Sequence, residues 1–108
     1  MGELREAISG SQLVLFYQPI IELATSRIEG VEALVRWQHP SRGLIMPDEF
    51  IPIAEETGLI SDLGKWVLKA AVDQLRRWRM DPETKRHDFS MRINISAADL
   101  QRLSLIHI

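Results

Sequence analysis

No cysteine occurs in this chain, so disulfide bridges and thiolate metal sites are excluded, and a reducing compartment fits the composition. No apolar run reaches the roughly 18 residues expected of a transmembrane helix. The opening Met1-Gly2-Glu3-Leu4-Arg5-Glu6 lacks the apolar core of a signal peptide, and Glu6 stands where a myristoylation signal needs Ser or Thr. Charge of one sign is also missing. A net −2 over 108 residues gives no general attraction to a nucleic-acid polymer and no reason for membrane contact from this segment. What remains is a 45% apolar chain of single-domain size, expected to be soluble and cytoplasmic.

The most informative stretch is Val31-Glu32-Ala33-Leu34-Val35-Arg36-Trp37. Strand side chains alternate between faces, so Glu32, Leu34 and Arg36 share one side while Val31, Ala33, Val35 and Trp37 make an unbroken apolar side. An acid and a base on one face of a core strand are costly unless they pair or bind something. Pattern alone favours a structural Glu32–Arg36 ion pair.

The remaining elements follow in order. Residues 3–9 read as a short helix stopped by Gly10, too short to stand alone, so that it docks or belongs to a linker. Residues 13–21 are almost continuously apolar, which predicts a strand buried on both faces, with Pro19 favouring an edge. The turn at 24–27 is too short for a parallel crossover, so residues 28–37 should return antiparallel. Gly30 suits a close approach of backbone or ligand. Residues 38–43 read as a loop. Pro47 and Gly58 bracket a helix, with Asp48 and Glu49 in its first turn and Pro52 bending it. Ser61 is a candidate cap for a longer helix to about Arg79, whose Leu63, Trp66, Val67, Ala70, Leu75 and Trp78 recur at helical steps. Trp66 and Trp78 are read as packing residues. Residues 89–96 form a further strand, apolar through Met91, Ile93 and Ile95, polar through Arg92, Asn94 and Ser96. A strand–helix–strand of this length implies a parallel pair and an α/β fold.

Gln18-Pro19, Glu32-Ala33-Leu34-x-Arg36, Pro47-x-x-Phe50-Ile51-Pro52-x-Ala54-Glu55 and Asn94-x-Ser96 occur here in one order and spacing. That set resembles the bacterial EAL domain, a family of metal-dependent phosphodiesterases that open cyclic di-GMP to linear pGpG. The resemblance runs from about Leu13 to Leu100, the first part of such a domain. It implies an incomplete (β/α)8 TIM-type barrel that starts with an antiparallel hairpin followed by βαβ. The expected organisation is a linker or short helix over 1–10 and the N-terminal part of an EAL domain over 11–102.

The resemblance implies Glu32 and Asn94 as ligands of Mg²⁺ or Mn²⁺, hard ions that take carboxylate and amide oxygens. It implies Arg36 on a phosphate, Gln18 on guanine and Leu34 in the pocket wall. Glu55 is read as structural. The family's remaining carboxylates and its catalytic lysine lie beyond position 108, so the segment itself is expected to be inactive. Cyclic di-GMP is the expected ligand, an upstream GGDEF or sensory domain the expected neighbour, and a homodimer is compatible with the family. A non-catalytic cyclic di-GMP receptor or protein-interaction module is the competing reading. The last six residues, Leu103-Ser104-Leu105-Ile106-His107-Ile108, resemble the translation of a transposon end used to tag sequencing libraries. The natural frame is therefore expected to leave off near Arg102, and His107 is not counted as a ligand.

Overall fold

The structure, a computed structural model, describes residues 2–83 and 90–93 and the backbone of 105–106. The elements are α1 (Gly2–Ser9), β1 (Leu13–Glu22), β2 (Arg27–His39), β3 (Gly43–Ile45), α2 (Pro47–Thr57), α3 (Ile60–Met80), β4 (Ser90–Ile93) and β5 (Leu105–Ile106). They form a five-stranded mixed sheet of order β1-β2-β4-β5, with β3 also on β2.

β2 is the organising strand. It pairs antiparallel with β1 from Leu13↔Trp37 to Glu22↔Arg27, and parallel with β4 from Gly30↔Ser90 to Ala33↔Ile93. The expected hairpin and parallel crossover are both present. β1 fills one edge of β2, so β4 and β3 share the other, β3 at the end where Trp37 faces Ile45.

Alternation along β2 decides where the core lies. Val31, Ala33, Val35 and Trp37 are buried, and meet Phe50 and Ala54 of α2, Leu63 and Val67 of α3, and Met91 and Ile93 of β4 in one cluster. Trp37 meets Phe50 edge-on at a centroid distance of 6.0 Å. α1 docks through Leu4 and Ala7, which removes the difficulty of so short a helix. Trp78 packs edge-on against Tyr17 at 5.1 Å, the packing role expected of it. Glu55 is exposed on α2.

Several expectations need correction. β1 is not buried on both faces: Leu13 and Leu15 enter the core, but Phe16 is 41% exposed and Ile21 55%. The described helices cover one side of the sheet only, and β1 has no described strand beyond it. Residues 38–43 are not all loop. β2 continues to His39 and Gly43 starts β3, with φ of 77° at Gly43 turning the chain. Ser61 does not cap α3. That helix starts at Ile60 after Leu59, with no side-chain cap. Gly58 at φ 78° ends α2, and Leu59 is drawn into the core, so burial sets the start of α3.

Gly30 is where β4 comes closest. A Cβ built there would lie 2.7 Å from the Ser90 carbonyl oxygen and 3.1 Å from its Oγ. Gly2 has nothing within 4 Å of the same position. Gly30→Ala is therefore expected to destabilise the chain by about 1–3 kcal/mol by forcing β2 and β4 apart. Gly2→Ala should stay within about 0.5 kcal/mol. Equal urea midpoints for the two variants would refute this reading of Gly30.

Candidate functional site

The sheet face turned away from the helices carries the polar residues. Cross-strand partners share a face, so the register builds this surface in rows. Gln18 stands opposite Glu32, Phe16 opposite Leu34 and Val14 opposite Arg36. On the other side of Glu32, Arg92 is its direct partner across the parallel pair. Glu32, Leu34 and Arg36 are half-buried, while Gln18 and Arg92 are exposed. Four of the five expected site residues thus lie on one continuous face. Asn94, the fifth, lies outside the described residues.

Glu32 and Arg36 do not pair. Arg36 Nη1 donates to the Val35 carbonyl at 2.8 Å, while the described ion pairs are His39–Glu3, Arg42–Glu49 and Lys69–Asp73. The structural ion pair that pattern alone favours is therefore absent. Residues i and i+4 on a strand sit roughly 13 Å apart along the backbone, and Val35 offers Arg36 a nearer acceptor. The Glu32 carboxylate has no hydrogen-bond or ion-pair partner among the described residues. A half-buried carboxylate without a partner fits a role as one oxygen ligand of a hard cation. It is one ligand only. Among the described residues no group of three His, Cys, Asp or Glu side chains could hold a metal. These residues can bind and orient, but they do not make a two-metal cage, so no catalytic step follows from them.

The face also holds residues to which the sequence alone assigned no role. Phe16 becomes the neighbour of Leu34 only once the hairpin register is known. Arg92 falls on the polar side by simple alternation, yet its place beside Glu32 depends on the β2–β4 register.

A second polar cluster ties α1 to the far end of β2. The His39 ring is 8% exposed, and its Nδ1 accepts from the backbone N–H groups of Ser41 and Arg42, each at 3.1 Å. Those donors place the ring proton on Nε2, which donates to Glu3 Oε2 at 2.8 Å. Trp37 Nε1 donates to Gln12 Oε1 at 3.0 Å beside it. Glu3, Glu6, Gln12, His39 and Pro40 line an open cleft of about 80 Å³.

The whole chain, residues 1–108, matches the EAL domain family. It is 42% identical over 106 residues to the bifunctional diguanylate cyclase/cyclic di-GMP phosphodiesterase MucR of Pseudomonas aeruginosa, which is 98% of this chain and 15% of that protein. It is 42% identical over 104 residues to the cyclic di-GMP phosphodiesterase NbdA of the same organism, 96% of this chain and 13% of that protein. The solved PaMucR phosphodiesterase in complex with c-di-GMP superposes with a TM-score of 0.76 at 40% identity, covering 94% of this chain and 42% of that one. The architecture is therefore α/β, corresponding to part of the TIM-type barrel of EAL domains. The chain belongs to the EAL domain family. It spans less than half of the solved neighbour and 15% or less of these curated relatives. Among the described residues no helix is long and apolar enough to cross a membrane.

The Glu3–His39 bond has a pH consequence. The hydrogen bond donated by His39 Nε2 holds the Glu3 carboxyl below its ordinary value of 4.5. A depressed carboxylate stabilises the fold above its unfolded pKa, and that contribution is lost as pH falls through the folded value. Glu3→Gln is expected to lower the thermal midpoint slightly near pH 7 and to match the unsubstituted chain once pH has fallen below the depressed folded value of Glu3. A gap that persists or grows under acid would contradict the assignment.

Proposed function

We propose that these residues form the first part of a cyclic di-GMP phosphodiesterase domain, which hydrolyses the dinucleotide to linear pGpG in bacterial second-messenger signalling. The observation that carries the reading is the shared face. The β1–β2 register brings Gln18, Glu32, Leu34 and Arg36 together on the side the helices leave open. Relatives whose names state this activity match nearly the whole chain. In this reading Glu32 is one ligand of Mg²⁺ or Mn²⁺ and Asn94 another. A metal pair held there would supply activation of a water and charge stabilisation for the departing oxygen. Arg36 offers a phosphate two parallel N–H donors, Gln18 both accepts from and donates to a guanine edge, and Leu34 closes the pocket wall. Further carboxylates must come from elsewhere in the domain, because among the described residues no group of three His, Cys, Asp or Glu side chains could hold a metal. An upstream signalling domain and a cytoplasmic location belong to the same proposal.

The test uses a protein that carries this segment at the length of its EAL relatives. It should hydrolyse cyclic di-GMP with Mg²⁺ or Mn²⁺ and stop when EDTA removes the metal. Glu32→Gln should lower kcat by at least about 100-fold, since a metal ligand is lost. Arg36→Ala should weaken ligand binding by about tenfold or more, in line with loss of a charge-assisted contact. Binding without turnover in the unsubstituted protein would reject the enzyme and leave the receptor. Neither binding nor turnover would reject both. The 108-residue chain alone should show no turnover under any metal.

A further inference from the structure

Arg92 stands out once the phosphate, metal and guanine roles above have been assigned. Its neighbours Met91 and Ile93 are 0% and 1% exposed in the helix-packed core, which fixes Arg92 on the opposite, open face. The parallel register sets it directly beside Glu32, and Gln18 stands directly beside Glu32 on the other strand. Adjacent strands lie about 4.8 Å apart, so Gln18, Glu32 and Arg92 form one short row across three strands. Arg92 is exposed and, among the described residues, has no ion pair or hydrogen bond from its side chain. Adjacent as they are, Arg92 and Glu32 do not pair either.

Two guanidinium groups therefore share the open face with Glu32. Arg92 is level with Glu32 on β4, and Arg36 lies four residues further along β2. A cyclic dinucleotide carries two phosphodiesters. A planar guanidinium is suited to each, and an unpaired one needs no existing bond broken to take it.

We propose that Arg92, placed beside Glu32 by the β2–β4 register, is a second phosphate-binding residue of the site, holding the phosphodiester that Arg36 does not. This rests on the reading of the face as a cyclic dinucleotide site, and it adds an opposing effect on the metal. A positive charge next to Glu32 disfavours a divalent cation there and favours an anionic ligand. Removing Arg92 therefore moves the two affinities in opposite directions, which a merely structural residue would not do.

The experiment uses the EAL-length protein defined above, with Arg36→Ala, Arg92→Ala and Arg92→Lys. Cyclic di-GMP is titrated calorimetrically in EDTA at several salt concentrations, and Mn²⁺ is titrated separately by electron paramagnetic resonance without dinucleotide. Arg92→Ala should weaken cyclic di-GMP binding about tenfold and flatten its salt dependence. The same variant should bind Mn²⁺ several-fold more tightly, and Arg92→Lys should restore part of both values. Unchanged dinucleotide affinity in Arg92→Ala, with Arg36→Ala weakened, overturns the proposal and leaves the site reading standing. Weaker binding with an unchanged salt slope places Arg92 on a base and also overturns it. An unsubstituted protein that binds no cyclic di-GMP removes the site reading and this proposal together.

Discussion

The structure depends on β2 being paired along both edges while its two faces differ in chemistry. Backbone pairing with β1 runs along one edge, while on the other β4 pairs Gly30 to Ala33 and β3 pairs Trp37 to His39, with the Val35 carbonyl between them taken by Arg36 Nη1. Strict alternation then leaves no freedom in which side chains meet the helices. Val31, Ala33, Val35 and Trp37 must point one way, and Glu32, Leu34 and Arg36 the other. A slip of one residue would drive Glu32 and Arg36 into a cluster built of Phe50, Leu63, Met91 and Ile93, where neither charge has a partner. Register and site geometry are therefore one constraint.

Other features serve that register. Gly30 admits the β4 backbone at the first paired position, and without that approach Arg92 would not come level with Glu32. At the other end of β2, Trp37 is held from three directions: Phe50 packs on its ring, Gln12 accepts its N–H, and Ile45 pairs opposite it. His39 follows two residues on and binds α1 through Glu3. The N-terminal helix is thereby joined to the strand that carries Glu32 and Arg36.

Much of this was legible because the signals were periodic or punctuated. Pro47 and Gly58 bound α2 as read, and alternation in β2 and at Met91-Arg92-Ile93 assigned faces correctly. The short turn implied the antiparallel hairpin, and the intervening helix the parallel return. The errors share a cause. β3 is too short, at three residues, for any period to show, and it exists because Ile45 completes the pocket around Trp37. Continuous apolarity in β1 suggested two buried faces, but local pattern cannot reveal that the helices cover only one. Ser61 has the chemistry of a cap and was outweighed by the burial of Leu59. The Glu32–Arg36 pair failed because sharing a face is not the same as being within reach. Adjacency across strands, as for Arg92, is a property of register, and a single strand does not encode it.

The open face also explains why so polar a set can sit at the centre of a sheet. In a closed barrel this side is the interior, and desolvated charges there need ligands or partners. Here Glu32 and Arg36 are half-buried and Arg92 exposed, so water meets part of that need. The sheet has two ends: β1 has no described strand on its outer edge, and β4 carries the antiparallel β5 through Met91↔Ile106 and Arg92↔Leu105. A TIM-type barrel would place a parallel strand on that same edge of β4. Such a strand would bring its own inward residues level with Arg92, at the cost of the β5 pairing. Whatever charge it carried would face Glu32 and Arg92 across a drier interior, where each interaction is stronger than on an open sheet. In such a barrel the row Gln18–Glu32–Arg92 would be completed from the β4 side. The balance between one carboxylate and two guanidinium groups is set before any further strand is added.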